Sequence, residues 1–144
     1  KLIIEKDFIT NWIDEASNAL DLDNETKAIE LFNAAKITLA FFEEECTLQG
    51  YYYYHYTALW KKKENYNKAI LWYDTAYYFF NKCGSDYYKA QTLLSKGLVY
   101  NSLNKNDEAI AVFEKLLSEI NQSGSKLTAT QKTIFLGQYH FFSG

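Results

Sequence analysis

The chain has 144 residues, of which 18% are aromatic, and its 15 cations, all lysine, face 18 carboxylates. Arginine, proline and methionine are absent. An acidic chain without arginine lacks the guanidinium forks and the basic face of a nucleic-acid binder. The 48% apolar content excludes a disordered tail. No apolar run approaches the roughly 20 residues that a membrane-spanning helix needs. The length predicts one domain, and we expect contact with neither nucleic acid nor membrane.

A repeat of about 40 residues is the strongest signal in the chain. Three segments align without gaps, namely 19–35, 60–76 and 100–116. Each begins at the end of one helical pattern, crosses a polar turn and enters a second helical pattern. An alanine opens the second pattern in each segment: Ala28, Ala69 and Ala109. An aromatic residue follows each alanine four residues later: Phe32, Tyr73 and Phe113. This spacing places the small and the large residue on one helix face.

In chain order the periodicity predicts an all-α fold of seven helices. The expected bounds are 4–21, 25–45, 48–63, 66–82, 86–103, 107–120 and about 128–144. An asparagine in each polar turn is predicted to cap the helix that follows: Asn24, Asn65 and Asn106. Gly137 follows Gly97 by 40 residues, so the seventh helix is expected to open a fourth unit without its partner.

The pattern resembles the tetratricopeptide repeat. The third unit matches best, because that motif's spacing is met by Gly97, Tyr100, Leu103, Ala109 and Phe113. The resemblance implies a right-handed superhelix of about three and a half antiparallel helix pairs. The expected units are 4–46, 47–83, 85–121 and a partial 127–144, within a piece of a longer protein.

Two departures from the common repeat indicate a narrower group. The units are about six residues longer than the usual 34, and they contain no proline. Long, proline-free repeats resemble the C-terminal peptide-sensing repeats of the RRNPP-type quorum-sensing regulators of Gram-positive bacteria. This resemblance implies the ligand-sensing part of a cytoplasmic transcriptional regulator. The alternative is a constitutive interaction scaffold or a self-assembly module, including a homodimer through the open last helix.

The resemblance also places the ligand, a short peptide or protein segment, in a concave groove lined by the first helix of each pair. The predicted groove residues are Ile13, Ser17 and Leu20 in the first unit, Tyr51, Tyr54, Ala58, Lys61 and Lys62 in the second, Gln91, Leu94, Leu98 and Asn101 in the third, and Gln138 and Phe141 in the fourth. The Asn101 amide is expected to hold a peptide backbone through its donor and acceptor; the alternative is an exposed asparagine near a helix end.

No catalytic, cofactor or metal site is predicted, so we expect no enzyme. His55 and His140 lack partners at a recognisable spacing and are expected to be packed or surface histidines. Three successive carboxylates, 43–45, point in different directions on a helix and indicate a solvated helix end. The lysines at 61–63 complement the dipole at a helix end, with contact to an acidic ligand as the alternative.

The two cysteines, Cys46 and Cys83, are too few for a disulfide framework and form no zinc pattern. They are expected to be free thiols in a reducing cytosol.

Overall fold

The computed structural model describes residues 2–122 and 124–143, with the side chains of 6–122 and 124–142. Those residues form seven helices and no strand, which confirms the all-α prediction. The helices are α1 (Leu2–Asp21), α2 (Glu25–Leu39), α3 (Cys46–Lys62), α4 (Tyr66–Cys83), α5 (Asp86–Ser102), α6 (Asn106–Ile120) and α7 (Ala129–Ser143). Helices that follow one another pack as pairs, α1 on α2 and α5 on α6.

The chain divides into two compact units, Lys1–Phe79 and Phe80–Gly144. In unit 1, α1 and α2 pack on each other and both contact α3. Its core is apolar and joins residues of these three helices, among them Ile9, Ala16, Phe32 and Tyr52. In unit 2, α5 packs on α6 and both contact α7. No helix in the described residues has both the length and the apolar composition to cross a bilayer.

One predicted helix end is wrong. The second helix was expected to continue to residue 45, but α2 ends at Leu39. At this end the Leu39 carbonyl accepts the N–H of Phe42 (2.9 Å), and the Phe42 carbonyl accepts the N–H of Glu45 (3.0 Å), so the chain turns instead of continuing the helix. The Gln49 Nε2 donates to the same two carbonyl oxygens, at 3.4 and 3.0 Å, and joins this turn to α3. The chain then turns so that Phe42 enters the core while Phe41 stays exposed.

Four helices end in the same turn, with a left-handed residue just past the helix. These residues are Asp23, Glu64, Gly84 and Asn104, with φ between 57° and 66°. In each turn the left-handed residue donates its N–H to the carbonyl three residues before it. The next residue donates to the carbonyl five residues before it, as from Asn24 to Ala19 (2.8 Å). This is the Schellman arrangement, and it reverses the chain within three residues.

The predicted caps are correct at two turns and wrong at the third. Asn24 and Asn65 each accept a hydrogen bond from the backbone N–H three residues later, at 3.2 Å. Asn106 is instead the first residue of α6, and Lys105 precedes it without a side-chain cap. The reason is that Asn106 lies one residue later in its repeat than Asn24 and Asn65 do in theirs. In the first two turns the capping residue lies four residues before the alanine of the repeat, Ala28 or Ala69, whereas the residue four before Ala109 is Lys105.

In each helix pair a buried small residue of the first helix is followed sixteen residues later by a buried aromatic residue of the second helix. Ala16 and Phe32 share the unit 1 core, and Thr57 and Tyr73 are both buried. Thr57 replaces a smaller residue without an orphaned hydroxyl, because its Oγ1 donates to the Tyr53 carbonyl at 2.7 Å. The closest approach is at Gly97, where an added Cβ would lie 2.5 Å from Cε1 of Phe113.

The seventh helix begins with a reciprocal cap. The Gln131 N–H donates to Oγ1 of Thr128 (3.1 Å), and the Thr128 N–H donates to Oε1 of Gln131 (3.0 Å). This capping box fixes the start of α7. The predicted start near residue 128 therefore holds, while the predicted end at Gly144 lies outside the described residues.

Both cysteines are disulfide-bonded, so the expectation of free thiols is wrong. Cys46 lies at the start of α3 and Cys83 at the end of α4. Disulfides form and persist in oxidising compartments. The cysteines therefore no longer support a reducing cytosol.

We expect Gly97→Ala to destabilise the chain although alanine favours helices. The overpacking against Phe113 costs about 1–3 kcal/mol, which exceeds the about 1 kcal/mol gained in helix propensity. Gly137→Ala is the matched control, since a Cβ there meets no atom within 4 Å, and it should stabilise by up to about 1 kcal/mol. Urea unfolding followed by far-UV circular dichroism measures both changes. Equal effects of the two substitutions would contradict the close helix contact.

We expect Glu64→Gly to stabilise the chain by about 0.5–1 kcal/mol, because glycine relieves the left-handed strain but loses more entropy on folding. The converse change, Gly84→Ala, should destabilise, since a Cβ would also lie 3.2 Å from Lys126 Nζ. Thermal unfolding of the two variants compares them directly. A lower midpoint for Glu64→Gly would count against strain at this turn.

Candidate functional site

The polar stripe of the first helices follows a fixed register from the small residue of each pair. Two residues before it lie Asp14, His55 and Ser95, and one residue after it lie Ser17, Ala58 and Leu98. Six residues before it lie Thr10, Tyr51 and Gln91. All nine side chains are half-buried, so each first helix keeps one side partly accessible. Spacings of four and three residues place these positions on one helix face.

The predicted groove residues are displaced from this stripe by one residue in two helices. Ile13 is fully buried (0% exposed) and Leu94 nearly so (3%). Both lie three positions before the small residue, and both fill a core instead of meeting a ligand. Leu20 is buried as well. These three residues are therefore withdrawn from the predicted binding set. Asp14 and Ser95, the neighbours of the first two, take the half-buried positions.

In unit 1 the structure brings together residues of α1, α3 and α4 in one surface. We call it the α1/α3 surface, defined by Asp14, Ser17, Tyr51, Tyr54, His55, Ala58, Lys61 and Tyr73. The Tyr51 hydroxyl donates to Oδ1 of Asp14, which ties α3 to α1. The rings of Tyr51 and Tyr54 lie against the His55 imidazole, with centroids 4.5 and 5.2 Å away.

Tyr73 links the aromatic and the cationic ends of this surface. Its ring is 5.6 Å from that of Tyr54, and its hydroxyl accepts a hydrogen bond from Lys61 Nζ at 3.3 Å. The repeat alignment identified Tyr73 only as the aromatic residue four positions after Ala69, and the structure buries it. Its hydroxyl, which no periodicity distinguishes from a phenylalanine edge, is the atom that meets the exposed Lys61.

The three consecutive lysines at 61–63 have different partners. Lys62 Nζ pairs with Asp23 at 2.7 Å, and Lys63 Nζ pairs with Glu25. The hydrogen bond and charge of Lys62 lower the pKa of the Asp23 carboxyl, and the same bond raises the pKa of Lys62. Lys62 thus stabilises the α1–α2 turn, and the sequence alone did not identify its partner. Among the side chains that the structure describes, Lys61 pairs with no carboxylate, and its Nζ contacts the neutral hydroxyl and ring of Tyr73. Lys61 therefore remains the cation offered by this surface.

The predicted residues of unit 2 do not gather in the same way. Gln91 and Leu98 are half-buried on α5. The Asn101 amide donates to the Phe142 carbonyl at 3.4 Å, so one of its donors is directed to the chain itself. Gln138 has a buried Oε1 without a hydrogen-bond partner. Phe141 is 79% exposed.

The carboxylates at 43–45 lie in the turn between α2 and α3, and Glu45 is the N-cap residue of α3, so they stand at a helix start. Glu45 pairs with Lys6. A surface depression of about 500 Å³ is lined by residues 40–45. Within the side chains that the structure describes, no group of three or more histidine, cysteine or carboxylate residues could hold a metal ion.

The described helices pack as hairpins that present polar and aromatic stripes, so the fold belongs to the all-α class. For one segment the comparison with known families is more specific: residues 90–122 match the tetratricopeptide repeat. The match covers most of α5, its Schellman turn and all of α6. Tetratricopeptide repeats are non-catalytic folds that mediate protein–protein interactions. Comparisons with curated proteins and with solved structures give no match.

The titration of His55 gives this surface a measurable signature. Burial lowers the pKa of His55, and the Asp14 carboxylate opposes the shift in part. The unfolded chain therefore binds the proton first as pH falls below the ordinary value of 6.5. The contribution of His55 to the free energy of unfolding is fully present above pH 6.5. It declines as the pH falls below 6.5, and it no longer changes once the pH is below the pKa of His55 in the folded chain.

We expect His55→Gln to remove this decline, whereas His140→Gln, at an exposed position, should leave it in place. Free energies of unfolding measured by urea titration at a series of pH values test the difference. The same pH dependence in both variants would show that His55 is not desolvated on the α1/α3 surface.

Proposed function

We propose that the chain is a non-catalytic binding domain whose α1/α3 surface takes a short peptide segment. The observation that carries the proposal is the order of side chains along that surface. Aromatic rings at Tyr51, Tyr54 and His55 are followed by the small Ser17 and Ala58, and then by Lys61. Half-exposed tyrosines suit recognition, because they combine apolar area, a polar end and few rotatable bonds.

The surface also has a charge direction. The Asp14 carboxylate lies beside Tyr51 at one end, and the Lys61 ammonium lies at the other. From Tyr51 to Lys61 the helix rises about 15 Å at 1.5 Å per residue. An extended peptide covers this length with about four or five residues at roughly 3.3–3.6 Å each. The complementary ligand therefore has a cationic or amino-terminal end near Asp14, an apolar centre, and an acidic or carboxyl-terminal end near Lys61.

We further propose that binding serves a sensor in a cytoplasmic bacterial transcriptional regulator. This role is supported by the resemblance of the long, proline-free repeats to the RRNPP-type sensing domains. A sensor of this kind needs a ligand with unequal affinity for two conformations of the repeats. The proposed cytoplasmic location rests on the same resemblance alone, because the disulfide-bonded cysteines do not support it.

A constitutive scaffold or a self-assembling module is the second candidate. One observation favours it, the exposed apolar residues of α7. Ile134 is 55% and Phe141 is 79% exposed, and neighbouring exposed apolar side chains can mark an interaction surface.

The proposed ligand class is tested by calorimetric titration of the full chain with two sets of pentapeptides that have free ends. One set has lysine first, an apolar centre and glutamate last; the other has the two charged residues exchanged. We expect the first set to bind and the second to bind at least about tenfold more weakly, because like charges then face each other.

Lys61→Glu and Tyr54→Ala should each weaken binding of the first set by at least about tenfold. Lys105→Glu is the control for a charge reversal, since Lys105 is exposed and lies outside this surface. Circular dichroism checks the fold of each variant. Equal affinity for both peptide sets, or affinity that survives Lys61→Glu and Tyr54→Ala, would exclude this surface as the site.

A further inference from the structure

Two titratable residues of the α1/α3 surface take the same repeat position in neighbouring first helices. Asp14 on α1 and His55 on α3 each lie two residues before the small residue of their helix. The two helices pack on each other, both side chains are half-buried, and the Asp14 carboxylate acts electrostatically on the imidazole. A group that can bind a proton therefore lies beside the carboxylate proposed for the cationic end of the ligand.

Tyr51 joins these two residues. Its ring centroid lies 4.5 Å from that of His55, and its hydroxyl donates to Oδ1 of Asp14. The Tyr54 ring also lies against the imidazole, at 5.2 Å. A carboxylate accepts more than one hydrogen bond, so Asp14 remains an acceptor for a ligand. The charge of His55 thus acts on the same oxygens that a ligand uses.

Asp14 is the charged neighbour that acts on His55. The other charged groups that contact α3 from neighbouring elements of unit 1 lie against other residues. They are Lys6 of α1, against Glu45 at the start of α3; Asp23 of the α1–α2 turn, against Lys62; and Lys36 of α2, against the Tyr53 hydroxyl. From α4 comes the neutral hydroxyl of Tyr73, which lies with Lys61 at the other end of the surface.

Few groups of this chain titrate between about pH 5 and pH 8. Histidine is the side chain whose ordinary pKa falls in that range, and the chain has 2 histidines. The two cysteines are disulfide-bonded and do not titrate. His140 is exposed on α7, outside unit 1. Burial lowers the pKa of His55, and Asp14 opposes that shift. In mildly acid solution the α1/α3 surface therefore gains its positive charge at His55.

We propose that His55 makes peptide binding at the α1/α3 surface depend on pH, with the neutral imidazole as the binding form. This inference rests on the proposed function of the surface. An imidazolium places a positive charge beside Asp14, where the cationic end of the ligand lies, and competes with the ligand for that carboxylate. A bound cation disfavours the imidazolium in return, so that binding and protonation oppose each other.

The direction of the pH dependence follows from this opposition. The ligand lowers the pKa of His55 further, because it adds a positive charge and occupies Asp14. Affinity is therefore full above the pKa of His55 in the free chain and declines below it. It no longer changes once the pH is below the pKa of His55 in the complex.

The test is calorimetric titration of the full chain with a pentapeptide that has lysine first, an apolar centre and glutamate last. Its amino terminus is acetylated, because a free α-amino group titrates near pH 8 itself. Titrations run from about pH 8 to about pH 5, a range in which lysine and glutamate largely keep their charges. We expect the affinity to fall by about three- to tenfold across this range, since like charges meet at the Asp14 end.

His55→Gln should abolish the fall, because glutamine stays neutral, whereas His140→Gln should keep it. Proton nuclear magnetic resonance of the imidazole rings is the second readout, with the His140 signals as the control. Saturating peptide should lower the pKa of His55 in this measurement, and Asp14→Asn should lower it in the free chain.

The outcomes separate this inference from the proposed function. If the peptide binds equally well at every pH, or if the fall persists in His55→Gln, the coupling is overturned and the proposed site stands. If no peptide binds at any pH while circular dichroism shows an intact fold, the proposed function is overturned and the coupling with it.

Discussion

The packing of the Phe113 ring on Gly97 sets how closely α5 and α6 approach, and the same sixteen-residue spacing relates the buried Ala16 to Phe32 and the buried Thr57 to Tyr73. At Gly97 the approach is so close that a single added Cβ would overlap the ring of Phe113. Sixteen residues span the end of one helix, the turn and the start of the next. The turn must therefore reverse the chain in the same way each time, and the left-handed residues Asp23, Glu64 and Asn104 do this with nearly equal φ. Local strain at three non-glycine residues is offset by burial of three rings.

The same contact decides which residues are left for recognition. Once the small residue faces its partner helix, the positions two before and one after it lie at the edge of the interface and stay half-buried. In α3 these positions hold His55 and Ala58, beside the rings of Tyr51 and Tyr54. The packing of the helices determines the surroundings of His55 and Ala58, and the chemical nature of the two side chains does not. The tyrosine-rich segment thus contributes Tyr52 to the core and its neighbours to an accessible surface.

Periodicity predicted the seven helices, three turns and the alanine and aromatic positions of each second helix, since each depends on residues close in the chain. It was less accurate for side-chain direction. One residue turns the helix by about 100°, and an error of one position exchanged Asp14 with Ile13 and Ser95 with Leu94. The cap at Asn106 failed for a similar reason, because an asparagine one residue late cannot reach the N–H groups that it should satisfy.

The sequence by itself determined the class of fold, because repeated local patterns specify helix pairs wherever the chain buries them. Only the tertiary structure decided the end of α2, the pairing of Lys62 with Asp23 and the disulfide-bonded state of the cysteines. Two of these involve a group from another part of the chain, namely Gln49, which donates to the Leu39 and Phe42 carbonyls at the end of α2, and Asp23, which pairs with Lys62. The spacing of residues in the sequence does not predict such contacts between distant parts of the chain. Whether a side chain faces solvent also depends on the helices packed beside it. The sequence therefore did not predict that Gly97 is buried while Gly137 is exposed.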